Sequence, residues 1–400
     1  MRAAAAIFGI ITIGLTLQLQ AAAALNLTPP HGKHVRPMRA EPAKPQNIEP
    51  VTDCDRTAAS PEDSQKVADG VPLESLDGAL AVAQCQQAAD RYPTIGRLFY
   101  QLGRGQEKLG NDTLALQSYR KAAETGSLIA AFSAGVRERD GIGTTRDDQE
   151  ANRLFKLCAD QGDADCLNSL AFQYQAGRGV PADAAQAIQL YRQAAAKGLV
   201  AANVNLGFLY RDGDGVPQDY AEAARQFQVA ADKGDPAGAG NLAQLYQNGQ
   251  GVPKDEAKAV TLFQQAADHG DDDALIKLAF AYLNGTGVSK DEAKSVAYYQ
   301  QAADHGNTDG MAGLAFAYAN GRGVPVDNKL AAQWMVRALA AGNDYTYDQL
   351  TNHWVGWTPD TRMAIQSILA DRGLYSGRIN GDLNRETLKA IRVLAGREGG

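Results

Sequence analysis

Apolar side chains along most of this chain recur with the step of a helix, and the helical pattern itself recurs over a longer, fixed distance. Leu170, Leu206, Leu242, Leu278 and Leu314 are each followed four residues later by Tyr174, Tyr210, Tyr246, Tyr282 or Tyr318, one turn away on the same helix face. A second column holds Tyr119, Phe155, Tyr191, Phe227, Phe263, Tyr299 and Met335. It is followed mostly by an alanine pair such as Ala230 and Ala231, small enough for neighbouring helices to approach closely. Bulky and small columns in constant phase predict stacked helical hairpins, none able to bury its apolar face alone. The expected fold is all-α: a right-handed α-solenoid of about seven 36-residue hairpins with a concave inner surface, followed by a small C-terminal helical module.

The punctuation keeps the same period. Gly126, Gly162, Gly198, Gly234, Gly270, Gly306 and Gly342 stand 36 residues apart, and paired turn glycines run in step from Gly141/Gly143 to Gly321/Gly323. A single such turn could pass for a phosphate loop, but six copies, each after a helix rather than a strand, could not. The glycines read as helix ends, and Pro181, Pro217, Pro253 and Pro325 prevent continuation. Asp183, Asp219, Asp255, Asp291 and Asp327 follow, placed to cap the second helix.

The unit LGFLYRDGDGVPQDYAEAARQFQVAADKG resembles the Sel-one-like repeat, a relative of the tetratricopeptide repeat, and similar units cover residues 92–343. The first two are degenerate: residues 92–127 lack the paired-glycine turn, and residues 128–163 carry GIGTTRDD in place of GVP. Upstream, LDGALAVAQCQQAAD resembles a further second helix with Cys85 in the bulky column, and residues 54–91 are expected as an N-terminal capping helical segment. The resemblance implies an adaptor that binds other proteins, and it supplies no catalytic residue; no cofactor or metal is expected.

Both ends depart from the repeat. Arg2, a short apolar run and small residues at Ala22 and Ala24 predict a secretory signal over residues 1–24, the alternative being a retained membrane anchor. No later stretch is apolar enough to span a bilayer. Residues 25–53 are proline-rich and poor in large apolar side chains, the composition of a disordered tether. After a linker at 344–357, residues 358–400 are similar to the peptidoglycan-binding-like three-helix domain, which implies sugar contacts by Tyr375 and Asn380. Asn380 replaces the usual Asp, and Leu383 and Asn384 replace an aromatic residue and a glycine. A cap over the last repeat is the alternative role.

Composition narrows the functional classes. With 39 basic and 46 acidic residues, the chain lacks the cationic surface of a nucleic-acid binder. Four cysteines allow three pairings. Cys158 and Cys166 occupy positions held by Ala194 and Ala202 one repeat later, so buried free thiols remain an alternative, and no neighbouring His favours zinc. Cysteine-rich secreted proteins of the resembled family staple adjacent helices at similar spacing, which implies Cys54–Cys85 and Cys158–Cys166 bonds and a periplasmic or secreted location.

The candidate partner surface comes from the helical wheel. Ala202, Leu206 and Tyr210 share one side of a first helix, and Val204, Phe208 and Arg211 point almost opposite. Position 208 recurs as Phe172, Gln244, Phe280 and Phe316, an aromatic ladder for a protein or peptide partner or else wedges between first helices. His269 and His305 sit in a column that tolerates Thr, Gln and Lys, a solvated helix end. His353 beside Trp354 and Trp357 reads as a sugar stack or as interdomain packing. Two functions follow: an exported scaffold, localised to the cell wall by its tail, or a secreted hydrolase or penicillin-binding enzyme acting on cell-wall or β-lactam bonds. No SxxK motif supports the second.

Overall fold

The computed structural model describes residues 50–397; the expected signal and most of the proline-rich segment lie outside the described residues. All regular structure among them is helical. Two helices, α1 (Asp53–Ala58) and α2 (Gly78–Arg91), precede seven hairpins. These are α3 (Gly96–Lys108) with α4 (Asp112–Glu124), α5 (Leu128–Asp140) with α6 (Asp148–Ala159), and α7 (Ala164–Ala176) with α8 (Ala184–Ala196). Next come α9 (Val200–Asp212) with α10 (Tyr220–Asp232), and α11 (Pro236–Asn248) with α12 (Glu256–Asp268). The last two are α13 (Asp272–Asn284) with α14 (Glu292–Asp304), and α15 (Thr308–Asn320) with α16 (Asn328–Ala340). The chain ends in α17 (Asp344–Thr351), α18 (Pro359–Asp371) and α19 (Arg385–Leu394). Residues 344–357, expected as a linker, are thus largely helical: Asn343 caps α17 through the Thr346 amide, and Thr346 and Leu350 are buried.

Each repeat turn follows from its residues. In the α11–α12 hairpin, Gly249 ends α11 in the left-handed conformation (φ 68°), and the Asp255 carboxylate accepts from the Lys258 amide to start α12. Gly251 is also left-handed, and a Cβ there would lie 2.2 Å from the Tyr220 carbonyl carbon, at the start of the preceding second helix. The second glycine of the pair is therefore a contact between repeats, and any side chain would push them apart.

The cores of the hairpins run into one another. Tyr119, Phe155, Tyr191 and Phe227 are almost fully buried; Leu206 shares a cluster with the first three, and Leu242, Leu278 and Leu314 share one with Phe227. Each such aromatic contributes about 1.5–3 kcal/mol of transfer free energy. Tyr246 and Tyr282, half-buried at the hairpin edge, receive hydrogen bonds from Lys258 and Lys294 of the following helix, both at 2.6 Å.

Two disulfides join Cys54 to Cys85 and Cys158 to Cys166, the pairing expected. The first ties α1 to α2, and the second ties α6 to α7 across a repeat boundary. The segment before α2 is held from α3 as well. The buried Arg97 donates to Asp55 at 2.9 Å, Gln101 donates to the same carboxylate at 3.1 Å, and Arg104 donates to the Ala58 and Val71 carbonyls. Burial works to raise the Asp55 pKa, but the bonds from Arg97, Thr52 and Gln101 outweigh it and hold the carboxyl below its ordinary value.

At the other end α16 packs on α18, and Met335, Trp354, Ile365, Leu369, Tyr375 and Ile391 form one apolar cluster. Gln366, fully buried, organises the loop before α19. It accepts from the Asn380 and Gly381 amides and donates to the Asp382 carbonyl and the Thr387 hydroxyl.

Candidate functional site: the inner helix face

First helices α9 and α11 of successive repeats approach one another directly, and the first-helix side is the one expected to line the concave surface of such a stack. Their wheel is only partly as expected. Val204, expected on the open face with Phe208, is buried, because that side of α9 meets the neighbouring repeat. Phe208 is half-buried, edge-on to Phe227 with ring centroids 5.4 Å apart, and the Arg211 guanidinium lies 4.8 Å over its ring. Phe172 and Phe316 are exposed beneath Arg178 and Arg322, at 5.1 and 5.6 Å. Gln244 is exposed, and Phe280 is 51% exposed with no arginine over it. The aromatic column is thus both packing and surface: Phe208 and Phe280 stand edge-on to Phe227 and Tyr299, and Phe172, Phe280 and Phe316 are exposed.

Two clefts open along this face. One of about 520 Å³ lies between α13, α15 and α17, walled by Phe280, Leu283, Phe316 and Tyr345 and floored by Tyr299. Burial pushes the Tyr299 phenol up to about 12. The other, of about 390 Å³ between α5, α7 and α9, is polar and lined by Asn168, Ser169, Phe172, Arg178 and Asn205. Between them Arg211 donates to Asn241 at 2.8 Å and bridges α9 to α11. The sequence singled out the rings but not the clefts, which depend on residues 30 or more positions away.

The tail behaves differently from its expectation. Tyr375 is buried, its hydroxyl donating to the Arg378 carbonyl at 2.7 Å and accepting from Asn384. Its ring therefore belongs to the core rather than to a sugar-facing surface. Asn380 is exposed, and its side chain engages Asp382. Trp354 is buried and donates to the Gly381 carbonyl, so the sugar stack with His353 gives way to packing; His353 faces Asp348 at 3.1 Å. His269 and His305 are exposed at helix ends, as expected. Among the described residues no group of three or more His, Cys, Asp or Glu could hold a metal ion, and no helix is long and apolar enough to cross a membrane.

The repeat geometry agrees with sequence comparison, in which the Sel1 repeat matches seven successive units between residues 95 and 343. The chain belongs to the Sel1 repeat family. It resembles the crystal structure of a protective antigen present in uropathogenic Escherichia coli strains, which displays an SLR fold. The identity is 25% and the TM-score 0.60 over 80% of this chain, which spans 64% of that structure. A Sel1 repeat protein from Oxalobacter formigenes is 26% identical with a TM-score of 0.50, over 60% of this chain and 96% of its own. No curated protein sequence matches the chain. Sel1 repeat solenoids generally mediate protein–protein interactions and are generally non-enzymatic scaffolds.

Proposed function

We propose that this Sel1 repeat protein is an exported scaffold that holds a protein or peptide segment along its inner helix face. The observation that carries the reading is the exposed aromatic row, Phe172, Phe280 and Phe316, ending in an apolar cleft at Phe280 and Phe316. Exposed aromatic surface of this kind is a mark of an interaction site. The apolar start and the two disulfides support export, since disulfides persist in oxidising compartments. Anchoring at the cell wall rests on the resemblance of residues 358–400 alone, with Asn380 as its exposed candidate contact.

The test places a photocrosslinking amino acid at Phe280 on the inner face or at Thr261, exposed on α12, in the chain expressed with its own leader. Capture of a discrete protein from Phe280 and not from Thr261 is expected. Equal capture from both positions refutes the inner-face assignment. Retention of all crosslinkable protein in the cytoplasm refutes export.

A further inference from the structure

The two clefts differ in chemistry in a way that the repeat pattern itself exposes. Residues six positions after the column Phe are Arg178, Thr286 and Arg322, and those three positions after include Arg211 and Leu283. Three of the four rings thus carry an arginine, while Phe280 has Thr286 and Leu283 at the two places from which a guanidinium would cover it. The next first helix opens the same spot. The position held by Ser169, Asn205, Asn241 and Lys277 is Gly313 in α15, where a Cβ would meet the Tyr299 ring at 2.4 Å. Both omissions fall on one cleft, leaving an apolar slot. Of its polar wall groups, Asn284 donates to the Phe280 carbonyl, Asp309 accepts from Asn343, and Arg322 lies over Phe316, 4.0 Å from Glu292.

The polar cleft lies three repeats away. There Arg139 is paired with Asp140 at 2.7 Å and Asn205 donates to Asn168; the Arg178 guanidinium makes no direct ion pair or hydrogen bond among the described residues, although its charge acts on the nearby Asp140 and Asp148 carboxylates. Ser169 stands beside it as a further donor, and Lys277, exposed in the same column, is likewise without an ion pair among the described residues. In a chain of net charge −7, cations on this face without a direct ion-pair partner complement a carboxylate.

We propose that the inner face takes an extended peptide at two points, a carboxylate at Arg178 and Ser169 and a bulky apolar side chain between Phe280 and Phe316. This rests on the inner-face reading above and names its ligand class. Packed helices stand about 8–10 Å apart, so three repeats separate the points by about 25–30 Å. An extended chain at about 3.3 Å per residue covers that distance in about eight or nine residues.

The experiment selects random twelve-residue peptides displayed on phage against the full chain, then measures the selected peptides by fluorescence anisotropy. Expected are sequences carrying Asp or Glu and Phe, Trp, Tyr or Leu about eight residues apart. Arg178→Gln weakens them at least tenfold, and a peptide with Gln for its carboxylate no longer distinguishes the variant from the original chain. Thr286→Arg, which restores over Phe280 the arrangement found at Phe316, weakens them at least tenfold through the apolar residue alone. It introduces a residue that two other repeats carry at this turn, so folding is preserved. Peptides lost on Lys277→Glu but indifferent to both variants overturn the two-point inference and leave inner-face binding standing. No selected peptide, or peptides that ignore every inner-face substitution, overturns both.

Discussion

Removing the Cys158–Cys166 bond isolates a cross-link with almost no accompanying change in packing. Both cysteines are fully buried, and the same positions one repeat later are Ala194 and Ala202, also fully buried. Cys158→Ala with Cys166→Ala therefore restores the side chains that the repeat uses elsewhere. What remains is the loss of a closed loop of sequence separation 8, worth about 2.5 kcal/mol on the chain-entropy relation. The same relation gives about 3.7 kcal/mol for Cys54–Cys85, with separation 31. Because each repeat contacts chiefly its neighbours, the loss falls locally. Native-state hydrogen exchange read by mass spectrometry should show protection in α6 and α7 reduced by up to about 70-fold, at 1.36 kcal/mol per factor of ten. Protection in α13 to α16 should be unchanged. A loss spread evenly over all seven hairpins refutes the nearest-neighbour argument, and unchanged protection at α6 and α7 refutes the assigned magnitude.

Other substitutions test the packing. Phe227→Ala, at a fully buried ring, should cost about 3–5 kcal/mol in urea unfolding, whereas Phe280→Ala should cost well under half as much; equal losses would place both rings in the core. Gly207→Ala puts a Cβ 2.4 Å from the Phe227 ring and should cost about 1–3 kcal/mol, and a neutral result in the same assay refutes the close approach. Asp55 titrates below its ordinary range, so its contribution is present above the unfolded value of about 3.9 and is lost as pH falls through the lower native value. The melting-temperature gap between the original chain and Asp55→Asn should therefore narrow below about pH 4, and a constant gap from pH 6 to pH 2.5 removes Asp55 from the acid response.

The solenoid was legible because its signals are local and repeated. A glycine at a helix end and an aspartate at the next start act within a few residues, and a 36-residue recurrence multiplies them. Arg97, by contrast, meets Asp55 across 42 residues with no periodic cue, so the clamp that holds the N-terminal segment was invisible. The inner face was half legible. The helical wheel identified the Phe column, but whether a ring is covered depends on Arg211 in the last turn of its helix or Thr286 in the loop beyond, and on Asn241 or Gly313 in the next first helix. Tyr375 was misread because a motif position does not reveal which way a ring points, and here its hydroxyl is satisfied from inside the loop.

Gly251, pressed against the start of the preceding second helix, has equivalents in Gly287 and Gly323, which meet Glu256 and Glu292 in the same way. Such a joint admits one relative placement of neighbouring units, so the scaffold is graduated like a ruler. Insertion or loss of a whole 36-residue unit would move the two ends of the inner face by one division and leave every joint intact. A change of a few residues would break a joint instead. Reach along this face is therefore a discrete quantity, adjustable by gene duplication in whole steps and not by gradual drift.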